Sequence, residues 1–232
     1  QRTLIGVDCN FGYARAVMQR QFGPSVTHMD LWRAVDDACG EHDNFFAGGY
    51  WHHNPIFWTQ GKKPEGFTMP RRLTEQACGE AGLGWPESPF KLIGAKQVGK
   101  GGLAGMRMAL ALRQDWGDHV AFWPFDSMEA CNKAAVVMVE IYPRQFIRRA
   151  DMGNAKIRDA VALNQCLKKL GAPPVTDNTP VNDHVTDALV SAAGLRHLCG
   201  PGKVIPSRFS RPIGLGQTYA TCEGWIFGVE GE

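Results

Sequence analysis

Apolar positions run unbroken through "AAVVMVEIYP", Ala134 to Pro143, the pattern of a strand buried on both faces of a parallel sheet. Glu140 stands near the end of that run and Pro143 closes it. Three shorter runs predict further strands: "TLIGVDC", which delivers Asp8 to a C-terminal strand edge, "HVAFWPF", ended by Pro124, and "EGWIFGV" near the last residue. Between them the period changes from two to three or four. Leu31, Trp32, Val35 and Ala38 predict a helix over Met29 to Cys39 that Gly40 stops, and good helix formers predict another over Leu103 to Arg113. "IRDAVALNQCLKKLG" reads as a helix ended by Gly171. The segment from Thr179 to Gly202 reads as a helix with Thr179 as N-cap and Pro180 in its first turn. Strands alternating with helices give an α/β fold with a largely parallel sheet.

One region breaks the pattern. From Gly40 to Phe90 no period holds, and Gly, Pro, Trp, Phe and His dominate. Such a stretch inside a compact domain is expected to work as a lid or binding surface, here with short helices, one around "RRLTEQACGEAG". Its aromatics interleaved with Lys62, Lys63, Arg71 and Arg72 suit a satellite core beneath a loop or a stacking grip on nucleic acid. His52 and His53 have no second ligand pair and are read as loop residues. Just beyond, Gly94, Gly99 and Lys100 fall at phosphate-loop spacing, but Gly101 stands where the magnesium-holding Ser or Thr would be. The segment reads instead as a glycine-rich turn passing close to another element.

Composition narrows the function classes only a little. Lys plus Arg number 25 against 23 Asp plus Glu, so charge neither demands nor forbids a polyanionic partner. Seven widely spaced cysteines without a C-x-x-C pair suit reduced thiols, not a disulfide framework or a zinc knuckle. No apolar run approaches the ~20 residues of a membrane span, and the chain reads as cytoplasmic, although it opens on Gln1 and reaches its first strand at once. Neither G-x-S-x-G nor H-E-x-x-H is present.

The candidate chemistry lies in acids with apolar neighbours. Asp8 follows "LIGV", Glu140 follows "VVMV" and Asp187 precedes "ALVSAA". A carboxylate in such a setting costs desolvation energy unless a cation meets it, and three of them at one point would form a hard-oxygen cage for Mg²⁺ or Mn²⁺. Asp183 shares a helix face with Asp187, where like charges repel mildly unless a cation or the helix N-terminus compensates. Strand-end acids that cap turns or pair with Arg144 or Lys156 are the alternative for Asp8 and Glu140.

"LIGVDCNFGYA", "FKLIGAKQVGKGGLAGMRMALALR", "VAFWPFDS", "VVMVEIYPRQF", "IRDAVALNQCL", "NDHVTDALVSAAGLRHL" and "EGWIFGV" occur in the order found in a family of predicted ribonuclease H-like nucleases. The chain resembles that family over nearly its whole length apart from the segment 40–89. The resemblance implies a single ribonuclease H-like domain over residues 1–232, a mixed or parallel sheet flanked by helices, with residues 40–90 as a loop-rich insertion. It implies that Asp8 is the acid of the fold's fourth strand, Glu140 that of the fifth and Asp187 the helix acid. The segment around Gly94 becomes a connector near the active face. Family members open with strands that carry another aspartate in a "V-D" context. Those strands have no counterpart here, which predicts either a fragment or a sheet completed in another way, and a metal site one ligand short.

The expected activity is divalent-metal-dependent phosphodiester hydrolysis of a nucleic acid or other phosphoester. Asp8, Glu140, Asp183 and Asp187 are the expected metal ligands, His184 orders water or moves a proton, and Arg144, Arg148 and Lys156 hold phosphate. The competing expectation is a non-catalytic binding or assembly module on the same scaffold.

Overall fold

A computed structural model describes residues 2–40, 43–94, 96–153, 156–176, 181–200 and 222–230. Its centre is a parallel three-stranded sheet of β1 (Thr3–Val7), β2 (Val120–Trp123) and β3 (Val136–Glu140) in the order β1-β3-β2. The unbroken apolar run thus takes the middle position, with Val137 and Val139 fully buried. Register pairs Val7 with Glu140 and Trp123 with Val139, so all three strands end on one edge of the sheet.

Alternation along the strands splits the core in two. Val137, Val139, Ala121 and Trp123 join one cluster with Phe146, Leu163, Val190 and Phe227. Met138, Val120 and Phe122 join the other, with Trp32, Leu103 and Met106. The first face is covered by α7 (Pro143–Arg149), α8 (Ala160–Lys169) and α9 (Asp183–Cys199), and the second by α2 (His28–Cys39) and α5 (Val98–Trp116). Shorter helices complete the order: α1 (Arg15–Phe22), α3 (Gly48–His52), α4 (Leu73–Glu80) and α6 (Met128–Lys133). The fold is therefore α/β, with a small parallel sheet flanked by helices.

Several expectations change. β1 is an edge strand and not a buried one, with Thr3 and Ile5 exposed. "EGWIFGV" forms no strand. It contributes a single parallel bridge between Ile226 and Glu140, and Phe227 N–H donates to the Glu140 carbonyl at 2.8 Å. β3 ends at Glu140, ahead of Pro143, which instead occupies the first turn of α7, where its missing N–H costs nothing. The last long helix begins at Asp183, capped by Asn182, whose side chain accepts from Val185 N–H at 3.0 Å; Thr179 and Pro180 lie outside the described residues. The seven cysteines are free thiols, as their spacing predicts.

The glycine-rich segment is not a phosphate cradle, because Gly99, Lys100, Gly101 and Gly102 lie inside the first turns of α5. Gly102 lets that helix close on the loop after β1, since a Cβ there would lie 2.0 Å from Asn10 Oδ1. The aromatics of the segment 40–90 largely pack inward: Tyr50, Trp51, Phe57 and Phe90 are buried, with Phe90 stacked on Tyr13 at 4.5 Å. These four form part of the second core.

Candidate functional site

The two strand-end acids meet where the sheet places them. Asp8 follows β1 and Glu140 is the last residue of β3, so parallel pairing of those strands sets both at the same sheet edge. That edge is the carboxyl end of a parallel sheet, the usual position of ligand sites in α/β folds. Asp187 arrives from α9. This helix packs tightly on α7 because Gly194 has no side chain: a Cβ there would stand 2.1 Å from the Phe146 ring. The three acids line one cleft of about 330 Å³ together with Cys9, Arg72, Glu75 and Arg144. Its outer wall comes from the aperiodic segment, through Trp85, Pro86 and Glu87.

Within the cleft the acids divide. Glu140 is buried, and both of its carboxylate oxygens accept from one guanidinium, with Arg72 Nη1 on Oε2 at 2.8 Å and Arg72 Nη2 on Oε1. Arg72 also donates through Nε to Glu75 Oε1 at 2.9 Å and through Nη1 to the Glu223 carbonyl at 2.9 Å. Glu75 reaches back to accept from Arg72 N–H at 2.6 Å, a side-chain cap on the first turn of α4. Glu223 accepts from Arg15 N–H at 2.7 Å and from Leu73 N–H at 3.0 Å. Burial raises the Glu140 carboxyl, and Arg72 pulls it back. The two flanking glutamates hold Arg72 cationic, above its ordinary value, against a burial cost that would lower it.

Asp8 and Asp187 are in a different state. Asp8 is open to solvent, yet the surrounding cleft walls and then the negative charge of Asp187 push its carboxyl up to about 6. Asp187 is raised first by burial and then by Asp183, while Arg144, His184 and Lys156 oppose the shift. Asp187 thus raises Asp8, and Asp183 raises Asp187, a local excess of negative charge that favours a cation.

The other predicted residues fall outside this centre or at its margin. Asp183 is exposed and paired with Lys156 at 2.6 Å and with Arg158 at 3.7 Å, which lowers its carboxyl first through the Lys156 hydrogen bond. Asp183 and Lys156 line a small neighbouring cavity of about 90 Å³, which Asp187 and Arg144 also border. His184 is exposed on the first turn of α9 and does not line the cleft. Arg148, on α7, is not among the residues that line the cleft, whereas Arg144, one turn earlier, is. Asp183, His184 and Arg148 are thus not placed at the centre, and Lys156 is engaged by an acid.

The cage of three or more carboxylates is not formed: among the described residues no group of three or more His, Cys, Asp and Glu is spaced to hold a metal ion. The physical reason is Arg72, which takes up the Glu140 carboxylate, a partner the sequence reading sought in Arg144 or Lys156. Asp8 and Asp187 alone still fit Mg²⁺, which keeps several waters and is commonly held by one or two carboxylates plus substrate phosphate. A larger cavity of about 670 Å³ is lined by Val17, Tyr50, Ile56, Phe67 and Phe90, with no acid among the described residues that border it. No described helix is long and apolar enough to cross a membrane.

Sequence reasoning took Arg72 only as part of a basic, aromatic-interleaved surface and did not single out Glu75. Their i, i+3 spacing at the start of "RRLTEQ" was a legible helix-start signal, but nothing local announces burial against a glutamate on a distant strand. Comparison with family models, with curated proteins and with solved structures gave no match.

Proposed function

We propose that the cleft is the active site of a divalent-metal-dependent phosphodiester hydrolase on a ribonuclease H-like scaffold. The observation that carries this reading is the convergence of Asp8, Glu140 and Asp187, from the ends of two paired strands and from a separate helix, on one cleft that Arg144 also lines. Asp8 and Asp187 would hold Mg²⁺ or Mn²⁺, which when bound supplies an acidified water and charge neutralisation at the phosphoryl group. Arg144 binds phosphate oxygen from the cleft wall, as guanidinium groups do. Trp85, 59% exposed beside the acids, offers a face on which a base or sugar can stack. Glu140, held by Arg72, fixes the sheet edge on which Asp8 stands.

A second reading is favoured by one specific observation. The bidentate Arg72–Glu140 pair neutralises an acid that a two-metal nuclease would use, which suits a binding or assembly module that keeps the scaffold without the reaction. The two readings separate in an assay of bis-p-nitrophenyl phosphate and of single- and double-stranded DNA and RNA oligonucleotides, with Mn²⁺ or with chelator. The hydrolase reading expects Mn²⁺-dependent cleavage that falls by about 100-fold or more in Asp8→Asn and Asp187→Asn. Binding of an oligonucleotide without turnover, unchanged by chelator, selects the module.

A further inference from the structure

We infer that Arg72 is a resident counter-ion that removes Glu140 from metal ligation, so that the cleft holds a single divalent cation, at Asp8 and Asp187, with Glu140 as a positioning residue. This rests on the hydrolase reading and goes further, because it assigns the number of ions and the role of each acid.

The guanidinium is saturated. An arginine has five N–H donors, and those of Arg72 meet Glu75 through Nε and Nη2, Glu140 through Nη1 and Nη2, and the Glu223 carbonyl through Nη1. No donor is left for a substrate phosphate, so Arg72 is not a transition-state clamp. It is also fixed in place. Its relative exposure is 1%, and the residues it grips belong to its own helix start, to the end of β3 and to the C-terminal segment. Swinging it away would leave Glu75 and Glu140 as buried, unpaired carboxylates, a strongly unfavourable state.

A cation seated on Glu140 would share its two oxygens with a guanidinium that already approaches both, and the two positive charges would be in near contact. The Asp8–Asp187 side has the opposite balance: both acids line the cleft, neither forms an ion pair among the described residues, and Asp8 faces solvent. The triad of Glu75, Arg72 and Glu140 carries one net negative charge, since two carboxylates meet one guanidinium. That residual charge attracts a cation to the cleft without ligating it. Positioning runs through the backbone: Glu140 pairs with Val7, and Ile141 N–H donates to the Val7 carbonyl at 3.0 Å, immediately before Asp8.

The test is Mn²⁺ titration of the whole chain, followed by electron paramagnetic resonance of free Mn²⁺ and by calorimetry, in wild type, Glu140→Gln and Asp187→Asn. The expected result is one Mn²⁺ per wild-type chain. Glu140→Gln keeps that stoichiometry with an affinity within about fivefold, the through-space effect of one charge. Asp187→Asn weakens binding by more than about tenfold, at least what loss of an outer partner costs. Two Mn²⁺ per wild-type chain, or a loss in Glu140→Gln as large as in Asp187→Asn, overturns the inference and leaves the hydrolase reading standing. Absence of any Mn²⁺ binding overturns both. The wild-type stoichiometry decides the matter even where a variant fails to fold.

Discussion

The two walls of the cleft hold the same kind of side chain in opposite conditions. On one, Glu75 and Glu140 are buried and satisfied by Arg72; on the other, Asp8 feels the charge of Asp187 and has an open approach. Burial alone does not make a carboxylate a candidate ligand. What distinguishes the second wall is that neither Asp8 nor Asp187 forms an ion pair among the described residues, and that difference separates a structural ion network from the site proposed for a cation.

Removing the cation of the first wall should have the largest effect. Arg72→Met strips both glutamates of their partner and is expected to destabilise the chain by about 3–5 kcal/mol, read as a lower midpoint in urea with an unchanged slope. A loss under about 1 kcal/mol would mean that water reaches the network and that the walls are alike.

The second wall should respond in the other direction. In the metal-free protein the raised Asp8 carboxyl favours the protonated form, so its contribution to stability is full below the unfolded value of 3.8 and is lost as pH rises through about 6. Asp8→Asn is therefore expected to gain on wild type by about 1 kcal/mol between pH 4 and pH 7, a figure reduced for the solvent access of the side chain. Melting curves of both proteins in chelator across that window measure it. A pH-independent difference would show that Asp8 feels neither the cleft nor Asp187.

The smallest change is expected at the margin. Lys156 and Asp183 form an ion pair with both partners about half exposed, so Lys156→Met should alter stability by less than about 0.5 kcal/mol. A larger loss would draw the neighbouring small cavity into the site.

Much of the second wall was legible in the sequence, and the reason is local. An acid at the end of an apolar run announces a strand edge, and Asp8 and Glu140 both do so; the i, i+4 spacing of Asp183 and Asp187 announces a shared helix face. Three parallel strands then bring such ends together without further information. Beyond Glu140, the first wall was hidden because it depends on contacts between residues far apart in the chain. Arg72 sits in a stretch without periodicity, where a basic pair reads as surface, and its burial follows from the approach of β3 and residues 222–230. Short elements were lost for a related reason. α7 begins at the proline that looked like a stop, α1 follows a turn signal with little amphipathic pattern, and "EGWIFGV" has strand composition but meets β3 only at Glu140. Asp183 and His184 shared the helix of Asp187 in sequence, yet one turn of α9 separates the cleft from the exposed surface.

Asp8 and Asp187 are together proposed to hold a divalent cation. The most direct measurement is the melting temperature of wild type, Asp8→Asn and Asp187→Asn at neutral pH as Mn²⁺ is raised from zero to well above its dissociation constant. A site bound only in the folded state stabilises wild type by about 2.7 kcal/mol at a hundredfold excess over that constant, and both variants should lose most of the shift. A wild-type midpoint that does not move with Mn²⁺, or one that moves equally in all three proteins, would contradict the account.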